Sequence, residues 1–147
     1  MSRTGRLTKT TAAAAGAPGV IYGLALLASG WILGPLRMLL VAPLVGAFAA
    51  VFFEAPLMIA VMVLTVRWLA RHHWIGNRWG DRVTVGLMGA SIVLVGEVAG
   101  GRLMTGGWES LNTFTTPAGL IGLLLVSVAA LAPVSLLSWP RSPPRLR

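Results

Sequence analysis

Four ionisable side chains are embedded in otherwise oily sequence: Arg37, Glu54, Glu97 and Arg102. Carboxylates in such surroundings can neutralise a guanidinium, carry a proton, or hold a cationic or hydrogen-bonding ligand. Glu54 lies in AVFFEAPLMIAVMVLTVRW (50–68), two residues before Pro56. That proline removes a backbone donor and crowds the carbonyl of Phe52, so a kink is predicted with an acceptor left for a polar neighbour. Other chemistry has little support. His72 and His73 are adjacent and diverge on a helix, with no third ligand at metal-binding spacing, so no metal site is expected. Ser29, Ser91 and Ser127 have no histidine at their depth to activate them. Tyr22 reads as an interfacial residue, and no glycine-rich phosphate loop follows a strand. With no cysteine, thiol nucleophiles, thiolate metal sites and disulfides are excluded. Neither an enzyme nor a cofactor is expected.

The elements that must carry these charges follow from composition. Of 147 residues, 56% are hydrophobic and only 11% charged, against about a quarter charged in ordinary soluble domains. Four segments, 18–40, 43–68, 83–102 and 117–138, approach or exceed the roughly 20 apolar residues that cross a hydrocarbon core. The fold class expected is all-α: an integral-membrane four-helix bundle over 18–138, with basic tails at 1–17 and 139–147. The stretch from Gly34 to Pro43 reads as the first turn, lying at the membrane interface.

Ten of the twelve basic residues fall in the N-terminal tail, the central loop and the C-terminal tail, leaving only Arg37 and Arg102 on the other side. By the positive-inside rule, both termini and the central loop are cytoplasmic in a bacterial inner membrane. The small-residue stretch TAAAAGA precedes the apolar run instead of following it, so the first helix is expected to be retained, not cleaved as a signal. Trp68, Trp74 and Trp79 fit the inner aromatic belt, with Trp139 near it and Trp108 in the outer loop. The net charge of +8 then reflects topology and attraction to anionic lipid at the cytoplasmic face. The basic residues are not interleaved with aromatics as on a nucleic-acid face, and no nucleic-acid partner is expected.

Entry of the second helix near Leu44 would put Glu54 about 15 Å deep. Gly46, Ala50, Glu54 and Met58 recur every four residues, Gly30, Gly34 and Arg37 share a stripe, and Gly86, Ala90, Glu97 and Gly101 form a third. The charges are therefore expected on faces that touch other helices, with Arg37 toward Glu54 and Arg102 or Arg37 toward Glu97.

The run Gly34, Arg37, Leu39, Pro43, Gly46, Ala50, Glu54, Pro56, Met58 resembles the signature of a group of small, uncharacterised bacterial inner-membrane proteins. In these, G-x-x-R leads through P-x-x-G to E-x-P-x-M on the next helix. The likeness continues through VGLMGASIVLVGE, ending at Glu97, and TPAGLIGLLL, opening the last helix. The relatives often carry charges after the proline matching Pro43, where this chain has Leu44, Val45, Ala47 and Phe48. The resemblance implies the four-helix topology and gives weight to Arg37 and Glu54; no activity comes with it.

Two functional readings follow. In the first, the protein is a non-enzymatic accessory or assembly component whose charges fix helix register and whose small-residue faces meet other membrane helices. In the second, it is a minimal proton-coupled or small-molecule transporter, acting as a homo-oligomer because four helices enclose little space.

Overall fold

The computed structural model describes residues 4–76, 78–105 and 115–138. Every element among them is helical: α1 (Thr4–Leu36), a π-helical turn (Arg37–Val41), α2 (Ala42–Val45), α3 (Ala47–Arg71), α4 (Trp79–Thr105) and α5 (Pro117–Ser138). Four stretches are long and apolar enough to cross a membrane: Gly16–Val45, Phe48–Arg71, Trp79–Leu103 and Gly119–Leu136. The chain is thus suited to a multi-pass integral membrane protein. Residues 4–17, expected as a tail, are helical, in keeping with the helix-favouring alanines at 12–15.

The first reversal is not where Gly34 and Pro43 suggested. Pro35 lies inside α1, and the helix then widens, with the Ala42 amide donating to the Arg37 carbonyl five residues back. The wide turn immediately precedes Pro43, whose ring would otherwise crowd the carbonyl of Leu39. Helicity persists to Val45, and the chain breaks at Gly46, where φ is 85° and ψ 154°. Only glycine adopts that conformation without strain. Pro56 leaves α3 unbroken along its 25 residues.

Small residues set the contact between α1 and α4. Met88 packs on Gly19, Ile92 on Gly23, Leu27 on Gly96 and Trp31 on Gly100. Each pair is separated by 69 residues, so the two helices run parallel in constant register. A Cβ on Gly23 would lie 2.8 Å from Ile92 Cβ, and one on Gly100 would lie 2.6 Å from Trp31 Cζ2. The glycines therefore act as holes for larger side chains on the facing helix. On the other side of α4, Gly86 admits the backbone of α5, since a Cβ there would overlap the Ala130 carbonyl oxygen. Helix α3 completes the contacts, packing on α1 and α5.

The packed core lies toward one end, where Tyr22 and Leu26 meet Met62, Val66, Leu69, Val85, Val93 and Ala129. Tyr22 is the keystone of this core and is fully buried, a correction to its interfacial assignment. It packs over Gly89 and its hydroxyl donates to the Ala129 carbonyl at 2.9 Å. The reason lies four residues further along α5. Pro133 has no amide hydrogen, so the Ala129 carbonyl loses its helical partner and accepts from Tyr22 instead.

The opposite end differs. By the register with α1, the last residue of α4, Thr105, is level with Leu36, so the π turn and α2 continue past it. Among the described residues these two elements touch only α1 and α3 and contain no buried residue. The tip is oily as well: Leu39 is 75% and Leu44 84% exposed. The described residues thus form a packed four-helix end and a two-helix hairpin that continues beyond α4.

Candidate functional site

The charges gather at the base of that hairpin. Arg37 opens the π turn, nine residues before Gly46, and Glu54 sits eight residues after it, so folding back at Gly46 brings the two level. Arg37 Nη1 and Glu54 Oε2 are 2.9 Å apart, with the side chains 24% and 15% exposed. Ala50, one turn before Glu54, is fully buried, and Met58, one turn after, packs partly against the core. The face bearing Glu54 therefore looks into the protein. The pair is level with the end of α4, nearer one end of the protein than the midpoint that entry at Leu44 implied.

Glu97 comes from α4, with its Oε1 3.6 Å from where a Cβ on Gly30 would lie. It is near enough to Glu54 and Arg37 for their charges to act on it. Unlike Glu54, it is more than one-third exposed, at the rim of the α1–α4 contact. Among the described residues its carboxylate makes no hydrogen bond or ion pair, with Arg37 or with Arg102. Arg102 is exposed near the end of α4. The Arg37 Nε, in contrast, is a buried donor without a hydrogen-bond partner. The site therefore sets one guanidinium, only partly used, beside two carboxylates from different helices.

Two features bear on its chemistry that spacing alone missed. Gly30, Gly34 and Arg37 follow one face of α1, and a Cβ on Gly34 would meet nothing within 4 Å. The signal was present in the small-residue stripe, but only the packing distinguishes a filled face from an open one. The π turn had no sequence signature beyond its flanking prolines, and such turns recur at functional sites.

The remaining candidates are structural. Ser29, Ser91 and Ser127 each donate to the carbonyl four residues earlier, which satisfies their hydroxyls locally. His72 follows the last turn of α3 with its ring 4.9 Å from that of Trp68, and His73 turns away with φ 58°. Trp68 also packs against Trp74 at 5.9 Å. Trp108, Glu109 and Trp139 lie outside the described residues. No protein-family model matches the chain, and neither a curated protein nor a solved structure is significantly similar to it. The arrangement that function must be argued from is therefore the Arg37–Glu54 pair at the base of an oily hairpin, with Glu97 beside it.

Proposed function

We propose that the protein is a non-enzymatic accessory or assembly component of a bacterial inner membrane. It spans the bilayer as a four-helix bundle with both termini inside, and it docks through the tip of the α1–α3 hairpin onto the outer, membrane-proximal surface of a second membrane protein. The observation that carries this reading is the bare tip: among the described residues, the π turn and α2 bury no residue and touch only their own hairpin. Length adds to it. The Gly16–Val45 span has 30 residues, about 45 Å of helix against a hydrocarbon core of roughly 30 Å. A bilayer centred on α4 and α5 leaves an oily tip outside, and that surface calls for a protein cover. The Arg37–Glu54 pair fixes the register of the hairpin arms. Gly86, Gly89, Gly96 and Gly100 of α4 are consumed within the chain, so the small-residue faces first expected to recruit partners give way to the tip.

The test is gentle solubilisation followed by native electrophoresis of the full chain. It should migrate with a second membrane protein, and Leu39→Ser with Phe52→Ser should release that protein while helicity stays unchanged. Migration as the chain alone, or a complex indifferent to the hairpin substitutions, refutes the reading. The carrier reading draws support from one observation, the absence of a partner for Glu97 among the described residues.

A further inference from the structure

One arginine faces two carboxylates, and this inequality has a chemical consequence. Arg37 with Glu54 is neutral, so an ionised Glu97 leaves the set with a net negative charge in apolar surroundings. That state is costly unless a proton or a second contact with the arginine relieves it. The surrounding elements offer little else. Helix α1 presents Gly30 and Arg37, α3 presents Glu54, α4 itself carries Arg102 near its exposed end, and α5 has no titratable residue from Pro117 to Ser138.

We propose that Glu97 is a proton-binding site coupled to Arg37. With Glu97 ionised, Arg37 bridges the two carboxylates, bringing its spare Nε to bear on Glu97. With Glu97 protonated, Arg37 belongs to Glu54 alone. The proton is taken from water onto a carboxylate oxygen, and the only contact exchanged is an N–H···O bond.

Three observations support the exchange. Arg37 Nε is buried and lacks an acceptor, which is the donor such a bridge needs. Side chains on α1 lean toward its N-terminus, so Arg37 is aimed back along the Gly34–Gly30 face on which the Glu97 carboxylate lies. That face is open, for Gly34 has no neighbour where a side chain would be and Gly30 has only Glu97. The π turn beginning at Arg37 supplies a place where the backbone can adjust without breaking the helix.

The inference does not rest on the accessory reading, and its test reads a different quantity. The full chain is reconstituted in phosphatidylcholine vesicles, and infrared difference spectra are recorded between about pH 4 and pH 9, a range that brackets perturbed carboxyl groups. A protonated-carboxyl band should appear on acidification together with a change in the arginine bands. The carboxyl band should be lost in Glu97→Gln and kept in both Glu54→Gln and Glu97→Asp. Gly34→Leu, which fills the open face without removing a charge, should keep the carboxyl band and lose the arginine change. A band that survives in Glu97→Gln overturns the assignment. So does a transition that follows sodium or potassium concentration at fixed pH, which would make the site a cation site. An arginine change unaltered by Gly34→Leu overturns the coupling.

Discussion

Replacing Tyr22 with phenylalanine isolates one atom whose role the fold makes explicit. The ring still fills the space over Gly89, but the Ala129 carbonyl loses its donor. Because Pro133 already denies that carbonyl its helical bond, the oxygen is stranded among buried side chains. An unsatisfied buried acceptor costs about 1–3 kcal/mol, while hydrogen bonds between membrane helices average about 0.6 and reach about 1.7 kcal/mol. A loss of about 1 kcal/mol is therefore expected, roughly fivefold in the folded-to-unfolded ratio. The decisive comparison uses Pro133→Ala, which restores an amide hydrogen to the helix. In that background the Ala129 carbonyl has its own partner, and Tyr22→Phe should cost less than about 0.3 kcal/mol. Reversible unfolding in mixed detergent, run on the unmodified chain, the two single variants and the double variant, measures the difference. An equal penalty with and without Pro133 refutes the claim that the proline creates the need for the tyrosine.

Four further substitutions probe the charges and the helix contacts. Arg37→Ala and Glu54→Ala should each lower stability by about 2 kcal/mol, less than a fully buried pair because the side chains are 24% and 15% exposed. The double variant should lose at least about 1 kcal/mol less than the sum, read as folded yield in detergent; additive losses contradict the pairing. Gly86→Ala drives a methyl into the Ala130 carbonyl oxygen and should cost about 1–3 kcal/mol by parting α4 from α5. Gly122→Ala meets nothing within 4 Å and should be neutral or stabilising by up to about 1 kcal/mol, with thermal unfolding separating the two.

The sequence by itself determined that the chain is helical and carries four stretches long and apolar enough to cross a membrane. Those properties depend on apolar length, and the bilayer reads length directly. It also singled out Arg37 and Glu54, because charges in oily helices stand out and their spacing follows the helical repeat. Tertiary structure alone decided the rest. Tyr22 looked interfacial because a lone tyrosine has an oily ring and a polar tip. Its place in the core depends on a carbonyl exposed by a proline on another helix, 111 residues away. The small residues of α4 looked available to partners, yet packing on α1 fills Gly89, Gly96 and Gly100 with Tyr22, Leu27 and Trp31. The first turn moved to Gly46 because a π turn accommodates Pro43 within the helix, and that shift carried Arg37 and Glu54 to the end of α4. Local patterns register what each helix is made of. Which carbonyl lacks a donor, which glycine has a neighbour and which carboxylate pairs with an arginine are properties of pairs of helices, and they exist only once the chain has folded.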